Sequence, residues 1–178
     1  DVACNAGEVL TGWQMISGDC ALQSHARISY NCEHVNASPS NNLGTTCDVV
    51  AGTRLEFLDR HNVACGTGAL QSFHMRRNCN GGSGSHARIE YTCSAAMTNY
   101  RMGACTTLST GCQLVQHQYL QYLDRHRVQC PNGRVLTSWH MSGASCVGTH
   151  QSISFRCCAL EPSCAVSQAT GEWQPLIY

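Results

Sequence analysis

Leu55-Glu56-Phe57-Leu58-Asp59-Arg60-His61-Asn62-Val63-Ala64-Cys65, led by Cys47, is matched 65 residues later by Leu120-Gln121-Tyr122-Leu123-Asp124-Arg125-His126-Arg127-Val128-Gln129-Cys130, led by Cys112. A period of this length decides the architecture, because each copy is one supersecondary unit that must bury its apolar face against its neighbours. The rest of the unit occurs three times. Val9-Leu10-Thr11-Gly12-Trp13-Gln14-Met15, Ala69-Leu70-Gln71-Ser72-Phe73-His74-Met75 and Val135-Leu136-Thr137-Ser138-Trp139-His140-Met141 align, and each runs on to a closing segment ending in Cys32, Cys93 or Cys157. Leu, aromatic and Met recur two or three apart, and Ile28-Ser29-Tyr30, Ile89-Glu90-Tyr91 and Ile153-Ser154-Phe155 alternate, which is the period of half-buried strands. Turns such as Asn80-Gly81-Gly82-Ser83-Gly84 and Pro131-Asn132-Gly133 separate them. The pattern predicts a single all-β, antiparallel, three-repeat domain over 1–178, with repeats at 1–46, 47–111 and 112–163 and a C-terminal strand at 164–178.

Composition narrows the class. The chain of 178 residues carries 14 cysteines, a density that belongs to disulfide-rich proteins of oxidising compartments. It opens at Asp1 without an apolar leader and has no apolar run long enough to span a bilayer, so it reads as secreted and extracellular, with no membrane insertion. Eleven acids balance eleven cations, all of them Arg, which excludes Schiff-base chemistry at a lysine. A balanced charge without a basic run also argues against a nucleic-acid partner.

The repeat restricts the cysteine pairing, because equivalent cysteines make equivalent bonds. Cys4, Cys65 and Cys130 open the unit and Cys32, Cys93 and Cys157 close it, giving Cys4–Cys32, Cys65–Cys93 and Cys130–Cys157. Cys20, Cys79 and Cys146 lie in the middle turn, and Cys47, Cys112 and Cys164 lead toward the next unit. The simplest symmetric solution is Cys20–Cys47, Cys79–Cys112 and Cys146–Cys164. Cys105 and Cys158 have no counterparts and pair with each other. All sulfurs are then consumed, which leaves no nucleophilic thiol and no zinc site.

Three Cys-bounded sheets, each with a Gly-rich turn and an Ile-x-aromatic-x-Cys closing strand, resemble the β-prism of the vitelline membrane outer layer protein I family. Leu58-Asp59-Arg60-His61, Val63 and Cys65, with their copies at 123–130, also look like repeats of secreted surface proteins of single-celled eukaryotes. The resemblance implies a pseudo-threefold, β-prism-like domain with an extracellular coat or carbohydrate-associated role. It brings no active-site residues.

Asp59, Arg60 and His61, repeated as Asp124, Arg125 and His126, are the candidate ligand-binding residues, with Asp accepting from sugar hydroxyls and His donating or stacking. The structural alternative has Asp and Arg locking strands through a charge-assisted hydrogen bond while His caps the turn. His25, His86 and His150 are equivalent, but no carboxylate set recurs with them, so no metal and no cofactor is assigned. Trp13, Phe73 and Trp139, like Met15, Met75 and Met141, read as core. A glycosidase needs two carboxylates at one cleft, and the acids show no such signature, so the chain does not read as an enzyme. Asn36-Ala37-Ser38 is an N-glycosylation sequon.

Units two and three begin with a leading strand that unit one lacks, since Asp1-Val2-Ala3-Cys4 matches only Asn62-Val63-Ala64-Cys65. The segment from Cys164, with Trp173, Leu176, Ile177 and Tyr178, reads as a surplus leading strand that fills an open sheet edge, through self-association or within its own chain. The expected function is an extracellular structural subunit of a fibre, coat or matrix that polymerises head to tail through that strand. The alternative is a soluble glycan-binding protein.

Overall fold

The computed structural model describes residues 1–17, 26–49, 55–81, 86–115, 118 and 120–163. Strands dominate, all pairings are antiparallel, and no α-helix occurs among the described residues. The alternating segments form three hairpins: β2 (Gly7–Ser17) with β3 (Ala26–Gly44), β6 (Leu70–Arg77) with β7 (His86–Met97), and β11 (Arg134–Ser142) with β12 (His150–Pro162). Their registers coincide. Met15 faces Ile28, Met75 faces Ile89 and Met141 faces Ile153, and each first strand shifts register at the same place, after Leu10, Leu70 and Leu136.

Short strands tie the hairpins to one another. β1 (Val2–Ala3) precedes the first hairpin but pairs with β6 of the second, β5 (Asn62–Ala64) precedes the second but pairs with β11 of the third, and β10 (Arg127–Gln129) precedes the third but pairs with β2 of the first. Each unit therefore lends a strand to the next. The outer edges of the second and third hairpins are covered in the same way: the second half of β3 runs along β7, and β8 (Tyr100–Ser109) runs along β12, followed by the short strands β4 (Asp48–Val49) on β7 and β9 (Gln113–Leu114) on β12. The result is a seven-stranded and a five-stranded sheet.

The aligned aromatics converge. Trp13, Phe73 and Trp139 make a triangle with ring centroids 5.0–5.4 Å apart and every interplanar angle 61°. Edge-to-face contacts of this kind add about 0.5–1.5 kcal/mol per pair beyond the burial itself. Around the triangle pack Val2, Val63 and Val128 from the lent strands and Met141 and Ile153 from the third hairpin. A second, smaller cluster of Val9, Val35, Ala37, Ala69 and Val135, flanked by Tyr100, Met102 and Leu160, closes the opposite end of the hairpins.

Among the described residues six disulfides pin this arrangement. Cys4–Cys32, Cys65–Cys93 and Cys130–Cys157 join opening and closing cysteines, and Cys105–Cys158 ties β8 to β12. The remaining two differ from the sequence expectation: Cys47 bonds Cys79 and Cys112 bonds Cys146, so Cys20–Cys47, Cys79–Cys112 and Cys146–Cys164 do not form. The cause is the direction of the covering strand. β3 climbs along β7 from Ala37, opposite Met97, to Gly44, opposite Glu90, and so delivers Cys47 beside the β6–β7 turn that holds Cys79. β8 does the same along β12 for Cys112 and Cys146. Cys20 and Cys164 lie outside the described residues.

Trp13→Ala removes one corner of the aromatic triangle and is expected to lower the unfolding free energy by about 3–5 kcal/mol, measured by guanidinium unfolding with the disulfides intact. Val147→Ala, at a site 89% exposed, is expected to stay within about 0.5 kcal/mol. Equal losses at the two sites would show that the triangle is not where stability resides.

Candidate functional site

The duplicated motif forms two 3-10 turns, Leu55–Arg60 and Leu120–Arg125, closed by His61 N–H donating to Leu58 O (3.1 Å) and His126 N–H to Leu123 O (3.0 Å). With three residues per turn, positions i and i+3 share a face. Leu55 and Leu58, and Leu120 and Leu123, therefore point together into the core, where all but half-buried Leu120 are buried. The first turn packs on β11 and the second on β2.

The polar half of the motif is split by this geometry. His61 and His126 are fully buried, and each Nδ1 bonds a threonine hydroxyl, Thr45 at 2.9 Å and Thr110 at 2.7 Å. The same hydroxyls accept the backbone N–H of Ile89 (3.0 Å) and Ile153 (2.9 Å). Each histidine thus locks its leading segment to the closing strand of the hairpin beside it and does not face solvent. Arg60 lies over the Phe57 ring at 4.6 Å and donates to Val49 O at 3.2 Å, while Arg125 lies over Tyr122 at 4.3 Å. The arginines are held by their own aromatic neighbours, a contact the sequence reading did not include. Asp59 is exposed and Asp124 half-buried, so a ligand meeting this motif would meet carboxylate and guanidinium only.

Burial pushes both histidines below their ordinary pKa; at His61 the nearby Asp48 partly offsets this, and at His126 the Arg125 guanidinium adds to it. Protonation would give each ring a second N–H, yet the buried Nε2 atoms have no hydrogen-bond partner.

β6, the third first-strand of the set, carries no 3-10 turn among the described residues. A cleft of about 260 Å³ lies there, walled by Phe73 and Met75 of β6, Ile89 of β7, Met15 and Ile28 of the first hairpin, and Leu58. Asp1 and His74 stand at its polar side. His74 Nε2 lies 3.1 Å from Glu90, which also accepts from Arg76 (3.2 Å) and from Arg88 Nε (2.8 Å). Arg88, chiefly through that hydrogen bond, holds the Glu90 carboxyl below its ordinary range. The recess suits an apolar group with a polar rim.

Beside this cleft the first hairpin has no covering strand among the described residues. Residues 90–92 of β7 pair with β6 on one side and β3 on the other, and residues 154–158 of β12 pair with β11 and β8. Residues 28–31 of β3, their counterparts, pair with β2 alone among the described residues. Ile28 is accordingly half-exposed where Ile89 and Ile153 are buried, and Tyr30 is 39% exposed where Phe155 is 5%.

His86 begins β7 and His150 begins β12, while His25 lies outside the described residues, as do Trp173, Leu176, Ile177 and Tyr178. Cys4, Glu8 and Cys32 come together, but the two sulfurs are bonded to each other and offer no thiolate. Asn36 is exposed at a left-handed kink of β3 (φ 48°), with Oδ1 2.9 Å from His34 Nε2. No protein-family model, no curated protein and no solved structure matches the chain.

The linkage sign follows from the lowered histidine pKa values. Above the unfolded value of about 6.5 both states are neutral; below it the unfolded chain binds protons that the folded rings refuse, so stability falls as pH drops. Unfolding free energies at pH 7.5, 6.5 and 5.5 are expected to decline below 6.5 by up to about 1.4 kcal/mol per unit and histidine. A flat profile, or stability rising toward acid, would contradict buried neutral rings.

Proposed function

We propose that the protein is a structural subunit of an extracellular fibre, coat or matrix that assembles head to tail, the C-terminal segment of one copy completing the first hairpin of the next. One observation carries this reading: the second and third hairpins each have a covering strand and a staple and the first and third each have a seated 3-10 turn, while the first hairpin's covering strand and a turn on its neighbour β6 are both absent among the described residues. An open sheet edge is a template for strand addition, and one open edge matched by one leading segment gives a heterologous contact, which propagates. Six disulfides suit an oxidising, extracellular setting and a resistant fold. No described helix is long and apolar enough to cross a membrane. A glycan at exposed Asn36 fits the same setting.

A glycan-binding role is favoured by a different feature, a small recess of about 70 Å³ bounded by Gln14, Ser29, Asn31, Arg127 and Gln129. Amides and hydroxyls of this kind match sugar hydroxyls.

Deleting residues 166–178 separates the readings. The full chain is expected to form particles that grow with concentration in light scattering, and the truncated chain to remain a folded monomer. Equal assembly by both chains, or a full chain that stays monomeric throughout, would refute head-to-tail donation. Specific low-micromolar binding of the monomer on a glycan array would favour the second role.

A further inference from the structure

We infer that the recess over Gly12, on the outward face of β10, β2 and β3, binds the carboxylate of an acidic sugar, a hexuronic acid within a glycan chain. This rests on the glycan-binding reading of that recess and holds whether or not copies assemble.

The repeat separates what the fold needs from what this face alone carries. Each lent strand sets equivalent rows of residues across its hairpin. Gln129, Gly12 and Asn31 stand side by side on β10, β2 and β3. Their counterparts are Ala3, Ser72 and Thr92 on one hairpin and Ala64, Ser138 and Arg156 on the other. The next row is Arg127, Gln14 and Ser29, where the third hairpin has Asn62, His140 and Ser154. Val128, Trp13 and Ile28 pack inward from the same strands, so the residues between them face outward. The inward valine recurs in all three lent strands, as Val2, Val63 and Val128, and serves the core. The glycine flanked by two amides, with an arginine in the next row, occurs once and is not required by the hairpin architecture.

Gly12 makes the recess. A Cβ there would stand 2.6 Å from Val128 O and 2.7 Å from Gln129 Oε1, so the serine of the other two hairpins would displace the Gln129 amide. With no side chain between them, Asn31 Nδ2 reaches across β2 and donates to Gln129 Oε1 (3.0 Å). Gln129 Nε2 donates to Thr11 O (3.4 Å) and Cys130 O (3.2 Å), which fixes that amide at both ends. Gln14 Nε2 is held in turn by Asp124 O (3.4 Å). Trp13 and Ile16 form the apolar part of the wall. Arg127 and Ser29 are exposed at the rim, and among the described residues neither side chain is engaged by another protein group.

This donor set selects the ligand. A guanidinium takes a carboxylate through two parallel N–H···O bonds. At about 70 Å³ the recess is far smaller than the roughly 300–1,000 Å³ of a pocket that encloses a whole small molecule. It therefore takes a substituent, and the ring that bears it lies across the rim, where Ser29, Asn31 and Gln14 match ring hydroxyls. β2 is paired on both sides here, by β10 and β3, so an extended peptide finds no strand edge to join. That sets a sugar acid ahead of an acidic peptide. A strand added at residues 28–31 would lie beyond β3 and leave this face open.

Calorimetric titration of the full chain with tetramers of galacturonic and glucuronic acid, each also as its methyl ester, tests the assignment. One of the acids is expected to bind at least about tenfold tighter than its ester, the loss typical of a hydrogen bond to a charged group. Arg127→Asn copies the residue at position 62 and Gly12→Ser copies Ser72 and Ser138, so both variants carry what the fold already accommodates; circular dichroism checks that they fold. Each is expected to weaken binding of that acid about tenfold, and Arg127→Asn to leave the ester unchanged. Acid and ester binding equally, with neither variant altering it, would overturn the acid assignment and leave a neutral glycan site. A tetraglutamate peptide binding as tightly as the sugar acid would overturn the sugar in favour of an acidic peptide. Binding of neither acid would overturn this inference, while capture of another glycan on an array would keep the glycan-binding reading alive without it.

Discussion

Three rings meeting edge to face, Trp13, Phe73 and Trp139, are the contact on which the rest of the fold depends. Each comes from the middle of a first strand, so their contact brings three hairpins to a common centre and turns their Met and Ile neighbours inward. A hairpin alone is marginal in water; here each gains a buried face from the other two and a lent strand from the unit before it. The disulfides then hold what packing has arranged, with Cys4–Cys32 and its two counterparts joining start and end of every unit.

The leading segments do a second job. In two places the same run of chain covers an edge, staples a turn, buries a histidine against a threonine, and seats two leucines at the centre. The consequence is directional: each segment starts on one hairpin and finishes on the next. Among the described residues no third segment covers the edge at residues 28–31 or fills the cleft at Phe73, and in our proposal the neighbouring molecule provides it.

Much of this was legible in the residues. The 65-residue period and the alternation of Trp13 and Met15 with their copies gave the strands and the core, since two-residue periodicity admits few other readings. The opening and closing cysteines could be matched because both ends of the unit recur. The staple direction could not: Cys47 stands between two turn cysteines, and only the path of β3 along β7 decides for Cys79 over Cys20. The surroundings of the histidines were not legible for a related reason. His61 reads from the sequence either as a ligand donor beside Asp59 and Arg60 or as a cap on the turn; its N–H does close the 3-10 turn, and the ring lies in the core, where Thr45 meets it. Thr45 and Thr110 are also 65 apart, so the repeat held that signal, but a lone threonine carries no chemistry until its partner is known.

Hydrogen exchange at residues 28–31 addresses the central claim directly, because it reads the edge itself and not the size of the particle. The outward amides of these residues are expected to exchange rapidly in the monomer lacking 166–178 and to become as protected as those of residues 89–92 in the assembled full-length protein. Rapid exchange in both, with 89–92 protected throughout, would mean that nothing adds to this edge and that the account of the first hairpin is wrong.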